Sequence, residues 1–287
     1  MEYPLTQIFL RLDHATKAIN DFRRAEIAFR EQATLEMLDI YDPDTRILSA
    51  QIGGDSPPRE MGLILGDSLH NIRAALDNLL VVMLAKEGKG VQRSHQFPLQ
   101  VENNSASRKT FSTNVAGIAL ADRELIAKYQ PHTWGNQAAQ HPFNKLRVFS
   151  NVDKHEMLLP SAMAYEWYLE EGGKIEYLTP VLQTIINKQG ELRVTATVNG
   201  VENAEIEGSM RFYLDDTSRF WEATLKNVTG EPHFTYSKAP QVSVGFRYEG
   251  LQVTHPVLLA IHKMAAEFVV EVGESWGYVI KHTESEL

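Results

Sequence analysis

The sequence predicts an α+β protein, a helical bundle with an antiparallel β unit placed before a C-terminal helix that returns to the bundle. Three observations carry this. Apolar residues recur every three or four positions over residues 5–41, 62–83 and 142–157. Between 158 and 254 the period shortens to two, with glycine turn signals between the runs. From Pro256 the helical period resumes. Residues 1–157 with 255–287 are therefore expected to form a helical domain, and 158–254 an inserted β unit.

The first helix is expected over residues 5–41. Ile8, Leu12, Ala15, Ile19, Phe22 and Phe29 keep one face apolar, and the charged residues from Arg11 to Arg24 lie mostly elsewhere. Tyr41-Asp42-Pro43-Asp44 closes it as a turn. Arg46 to Ile52 is expected as a short strand, and Gly53 to Pro58 is a loop.

The second helix, Gly62 to Met83, reads GLILGDSLHNIRAALDNLLVVM, and the rest of the chain is organised around it. At about 100° per residue, Leu65, Leu69, Ile72, Leu76, Leu79, Leu80 and Met83 share one sector. Asp67, His70, Asn71, Asp77 and Asn78 occupy the opposite one, with Ala74 near its centre and Arg73 at its edge. Pro57 and Pro58 suit the start, with Ser56 or Asp55 as cap; Gly88 and Gly90 suit the end. A face that meets only water is usually built from Lys, Glu and Gln. Asp and Asn each cost a few tenths of a kcal/mol, roughly, against Ala in a helix. Such a face suits a polar network at a packing or dimer interface, or a site for ligand or chemistry.

Residues 88–120 are expected to be loop, with Phe97-Pro98 as an isolated apolar anchor and Asn103, Asn104, Ser105 and Ser107 as loop markers. A helix over about 121–129 follows, then a turn at 130–132 and a loop at 134–140. Pro142 to Met157, PFNKLRVFSNVDKHEM, is helical again. Phe143, Leu146 and Phe149 form its apolar side. Asn144, Asn151 and His155 share another side, with Arg147 and Lys154 between. Asp153 falls near the apolar sector, where a carboxylate needs Arg73, His70 or a helix N-terminus as partner, or else reaches solvent from the last turn.

In the β unit, Leu192 to Val198 alternates strictly and Asn199-Gly200 is a hairpin turn that returns as Val201 to Ile206. Residues 209–214, 220–225, 233–237 and 242–248 are further strands. About five to seven strands is near sandwich or curved-sheet size. The last helix is expected from Pro256 to about Ile280, with Gly273 as a break.

With no cysteine among 287 residues, disulfides, zinc–thiolate sites and thiol catalysis are excluded. No apolar run is long enough to span a membrane, and the N-terminus lacks the basic start and apolar core of a signal peptide. A cytoplasmic protein is expected. The net charge of −9 argues against broad non-specific nucleic-acid binding. It leaves room for a local RNA site where Arg73, Arg147 and Lys154 meet. No Walker A loop, no GxGxxG after a strand and no GxSxG elbow occurs, so no cofactor is expected.

Two segments carry a family resemblance. LHNIRAALDNL, Leu69 to Leu79, resembles the LHNLRSALDHL motif of a group of mostly uncharacterised bacterial proteins. NVDKH, Asn151 to His155, resembles that group's NxDKHR motif, with Glu156 where an Arg is usual. The spacing of the first motif is similar to the RxxxxH signature of the HEPN superfamily. The resemblance implies a small helical bundle that dimerises, and in many members a metal-independent ribonuclease of toxin, defence or RNA-processing systems. Arg73 matches the motif Arg, and Asn78 stands at the motif His. An amide cannot perform an imidazole's proton transfer near neutral pH.

Three functions follow as expectations. The first is a HEPN-like protein, RNA-associated or acting in defence or regulation, expected as a homodimer. Its candidate cluster is His70, Arg73, Asp77, Asn78, Asn151, Asp153, Lys154 and His155, gathered at one site. If RNA is cut, Arg73, Lys154 or Arg147 supplies the cation and His70 or His155 the base. The second is a small-molecule or peptide-binding module lined by Trp167, Trp221, Tyr165, Tyr168, Tyr177, Tyr213, Phe220 and Tyr236. The third is a metal-dependent hydrolase using His70, Asp77 and His155, with Asp67, Asp153 and His141 as further ligands. Whether the chain is an enzyme stays open between them.

Overall fold

The computed structural model describes residues 5–155, 158, 160–166, 168–171, 174–177, 196–198, 201–206, 211–212, 219–226 and 241–279. The chain is α+β and divides into two compact units. Met1–Ala25, Arg59–Leu159 and Phe246–Leu287 form one, and Glu26–Pro58 with Pro160–Gly245 form the other.

The helical unit is built from the stripes that sequence periodicity identified. Helix α1 (Thr6–Gln32) buries Ile8, Leu12, Ala15, Ile19 and Phe22. Helix α2 (Glu60–Lys86) buries Leu65, Leu69, Ile72, Leu76, Leu79, Leu80 and Met83, each at most 1% exposed. Each such leucine contributes about 1.5–3 kcal/mol by leaving water. Around α2 come α3 (Ser105–Asn114), α4 (Leu120–Lys128), a 3-10 segment (Pro131–Gln140), α5 (Pro142–His155) and α6 (His255–Ser275). Helices α5 and α6 both pack on α2 and on each other.

Helix ends follow local chemistry. The chain leaves α2 through Gly88 in the left-handed region (φ 62°), with Gly88 N donating to Ala85 O and Lys89 N to Leu84 O. The same pattern ends α6 at Gly277 (φ 81°), with Tyr278 N donating to Gly273 O. Gly273 is therefore a buried helical residue whose carbonyl is part of the cap, and it breaks nothing. Neither Ser56 nor Asp55 caps α2, whose N-cap Arg59 makes no side-chain bond. Asp55 instead accepts from Thr34 N at 2.8 Å.

Two expected loops contain helix. Asn104 accepts from Ser107 N (2.8 Å), so the Asn/Ser cluster is the N-cap of α3. Residues 131–140 close as 3-10 turns opened by Pro131, with Gly135 at φ 55° allowing the kink.

The ends of α2, α4 and α6 meet at Asp122, which is 2% exposed. Its Oδ1 accepts from Trp276 Nε1 (2.9 Å). Lys86 Nζ lies 3.8 Å from its Oδ2 and 4.8 Å from the Trp276 ring centroid.

Three buried histidines make the helical unit acid-sensitive. His262 Nε2 lies 3.1 Å from Leu12 O and 3.0 Å from Thr16 Oγ1, and its Nδ1 is buried with no partner among the described residues. Burial lowers its pKa against the opposing pull of Leu12 O and Asp13. Burial lowers His255 too, helped by the Arg23 charge, and brings His141 down to about 4. As pH falls, the unfolded chain binds protons first, because its histidines titrate near 6.5. The stability these groups contribute is therefore whole above about 6.5 and is lost as pH falls toward the folded values. Thermal midpoints are expected to drop steadily between about pH 7 and pH 4.5. His262→Gln keeps a donor for Leu12 O and cannot titrate, so its profile is expected to be flatter. An unchanged slope would remove His262 from this account.

The second unit is built from strands. The 26–58 segment belongs here and not with the helices. Helix α1 stops at Gln32, and Leu35–Asp42 is strand β1, not the tail of a 5–41 helix. Asp42 folds the chain back by accepting from Asp44 N and from Thr45 Oγ1. This pairs β1 antiparallel with β2 (Ile47–Gly54), Leu35 opposite Gly54 and Asp42 opposite Ile47. Helix-compatible residues in LEML are overridden by that cross-strand ladder.

Further strands are β3 (Ser161–Glu166), β4 (Tyr168–Glu171), β5 (Lys174–Tyr177), β6 (Ala196–Val198), β7 (Val201–Ile206), β8 (Arg211–Phe212), β9 (Arg219–Lys226) and β10 (Gln241–Tyr248), with residues from Phe246 onward and β11 (Leu251–Thr254) belonging to the helical unit. One sheet runs β1-β2-β9-β7-β6 with β8 also on β9, a second runs β11-β10-β3, and β4 pairs with β5. Strands β6 and β7 are antiparallel with Val198 opposite Val201. The Asn199-Gly200 turn between them, and the strand expected at 233–237, lie outside the described residues.

Candidate functional site

Helix α2 carries two glycines one turn apart, Gly62 and Gly66, on the flank that faces the end of α5. A Cβ on Gly62 would lie 2.3 Å from Leu158 O. A Cβ on Gly66 would lie 2.3 Å from Asp153 Oδ1. Absence of both side chains lets the C-terminal end of α5 and the segment after it rest on the α2 backbone. Asp153, exposed to solvent, is thereby set one turn before His70 on the central helix.

Farther along the same flank, Arg73 and Asp77 form an i,i+4 pair, with Arg73 Nε donating to Asp77 Oδ2 at 3.1 Å. Both then grip one residue. Arg73 Nη2 donates to Phe97 O (2.8 Å), and Asp77 Oδ1 accepts from Phe97 N (2.7 Å). The Phe97 ring, 1% exposed, packs 5.2 Å from Phe268 and 5.9 Å from Phe143, centroid to centroid. The motif pair is thus a clasp that holds the segment after α2 against the helical core. The Arg73 side chain is only 16% exposed.

The other candidate positions sort differently. His70 is exposed and Asn78 half-buried; neither makes a hydrogen bond or ion pair among the described residues. Asn151 is exposed and lies about 160° around α5 from Asp153, so the two cannot share the α2 side. Lys154 and His155 belong to the last turn of α5, and their side chains lie outside the described residues. Of the candidates whose side chains are described, Asn151 stands apart from the rest. Arg73, Asp77 and Asp153 are gathered on the α2–α5 flank with His70 one turn from Asp153, and Asn151 is not among them.

The expected basic cleft is also altered. Arg147 donates through Nε and Nη2 to Asn144 Oδ1 (3.2 and 3.0 Å), so Arg147 and Arg73 are both held by local partners. Asn71 turns toward α1: its Oδ1 accepts from Arg11 (3.2 Å), while its Nδ2 donates to the Asp67 backbone carbonyl one turn back. His141 is buried, and its Nδ1 accepts from Phe143 N at 3.1 Å.

Among the described residues no group of three or more His, Asp or Glu side chains is placed to hold a metal ion. The aromatic side chains proposed to line a pocket in the β unit lie outside the described residues. Among the described residues no helix is long and apolar enough to cross a membrane.

Sequence reasoning missed the clasp and the close approach at Gly62. The i,i+4 spacing of Arg73 and Asp77 was visible, but their common partner is 20–24 residues away. The Gly62-x-x-x-Gly66 spacing was the available signal for a close approach. Compared with protein-family models, curated proteins and solved structures, the chain matches none.

Proposed function

We propose that this protein is a HEPN-like, cytoplasmic, RNA-associated regulatory protein that works as a homodimer and does not itself cut RNA. The observation that carries the last point is the engagement of Arg73. Its guanidinium is largely buried and bonds Asp77 and the Phe97 carbonyl. A cation so held is not free to stabilise a developing phosphate charge. Asn78, at the position of the motif His, has no proton to exchange near neutral pH. The RNA association rests on the two motif segments.

The dimer is supported by the outer side of α2. Leu63 is 72% exposed and Val81 41%, and with His70 and Ala74 they fall within roughly 40° of one another around the helix. Small Ala74 at the middle of this ridge permits close approach of a second copy.

The test is incubation of metal-free protein with single-stranded RNA, beside His70→Ala, with sedimentation analysis of the same preparation. The expected result is a dimer, intact RNA and no difference between the two proteins. Cleavage that disappears in His70→Ala would overturn the silent assignment and make His70 the base.

A further inference from the structure

The segment that the clasp holds is basic in an acidic chain. Residues 88–119 contain four cations, Lys89, Arg93, Arg108 and Lys109, against one carboxylate, Glu102, while the whole chain carries −9. All four cations are exposed. Lys89, Arg93 and Lys109 make no ion pair among the described residues. Arg108 donates through Nη1 to Asn103 O (2.7 Å), a carbonyl that leaves its charge uncompensated.

The fold brings the Lys89–Ser94 stretch to the C-terminal end of α3, the helix that bears Arg108 and Lys109. Lys89 Cγ lies 3.4 Å from where a Gly117 Cβ would stand, in the turn that follows α3. The Asn114 amide at the end of α3, with its nitrogen turned toward them, donates to Ser94 O (3.3 Å) and Thr110 O (3.2 Å). Arg93 is therefore beside the C-terminal turn of α3, and Lys109 is five residues back, about 7–8 Å of helix. Below them the Phe97 clasp ties the segment to α2. Four exposed cations against one carboxylate, on a segment tethered at Phe97, complement a string of phosphates.

We infer that the surface formed by Lys89, Arg93, Arg108 and Lys109, at the end of α2 and on α3, takes the phosphate backbone of a nucleic-acid strand. This rests on the RNA-associated function proposed above and moves the contact away from the α2–α5 flank. The clasp residues Arg73 and Asp77 act on it as positioning residues, by fixing the segment that bears two of the cations.

The test is fluorescence anisotropy with a labelled single-stranded RNA and a DNA of the same sequence, over a salt series. The variant is Lys89→Gln/Arg93→Gln/Lys109→Gln. The control, Lys17→Gln/Arg30→Gln/Lys263→Gln, removes the same charge from exposed positions elsewhere. Loss of three phosphate contacts is expected to weaken binding roughly 100-fold near 0.1 M salt and to flatten the log–log salt slope by about 2. The control is expected to bind like the native chain. RNA bound equally by all three proteins would overturn the surface and leave RNA association standing. DNA bound in place of RNA, and lost in the variant, would support the surface and overturn the RNA function. No binding of either strand by the native chain would overturn both.

Discussion

Phe97→Ala is expected to lower the stability of the helical unit by about 3–5 kcal/mol, as seen when a buried aromatic is truncated and its cavity stays open. The ring is closed in by Phe143 and Phe268, and its own backbone N–H and carbonyl are used by Asp77 and Arg73. Arg73→Ala is expected to cost about 2–4 kcal/mol, because it strips the Phe97 carbonyl of its donor and leaves Asp77 without its cation. The two substitutions act on one segment, so the double variant is expected to lose at least about 1 kcal/mol less than the sum. Urea unfolding of the four proteins measures this. Strict additivity would show that the pair and the ring are independent, and the clasp would be dismissed. Arg73→Ala that kept full stability would also reopen the guanidinium as a free group at the candidate site.

Gly62→Ala is the second large expectation. Alanine ordinarily favours an interior helix position over glycine by about 1 kcal/mol. Here the added methyl would meet the Leu158 carbonyl, which belongs to the backbone and cannot rotate away. Displacing the end of α5 and repacking it is expected to leave a net loss of about 2 kcal/mol, near the middle of the range for overpacking. Gly66→Ala meets the end of a side chain, Asp153, which turns aside more cheaply, so a change near zero is expected. Thermal melts of these variants decide the point. A Gly62→Ala protein as stable as the native one would mean that the Leu158 carbonyl does not rest on the α2 backbone.

Much of the helical unit was legible because its signals are local. The apolar stripes of α1, α2 and α5 each lie within one helix, and the side chains they identify are largely those buried. Where the deciding partner is remote, periodicity was mute. Residues 35–42 have a helix-compatible composition, and only their ladder with 47–54 makes them strand. Asn104 reads as a loop marker in sequence and caps α3 in the fold, since asparagine serves both purposes through the same side-chain acceptor. At the candidate site, the polar residues of α2 were identifiable as exceptional, but their division of labour was not. One pair holds Phe97, another polar group turns to Arg11, and His70 faces solvent, a sorting made by three different neighbours. The free cations of 88–119 were visible in composition alone and were passed over as loop.

The helical unit is closed by contacts between its first and last helices: His262 of α6 meets Leu12 and Thr16 of α1 across some 250 positions of sequence. During synthesis the strands of residues 160–245 must be made before α6 exists. At roughly 5–20 residues per second that interval is on the order of ten seconds. Throughout it the apolar stripes of α2 and α5 lack the part of their final packing that α6 supplies, and the nascent chain is open to chaperones and to wrong associations. The yield of native protein in a cell is therefore expected to change with how fast this middle stretch is translated, a sensitivity that no equilibrium property of the finished molecule records.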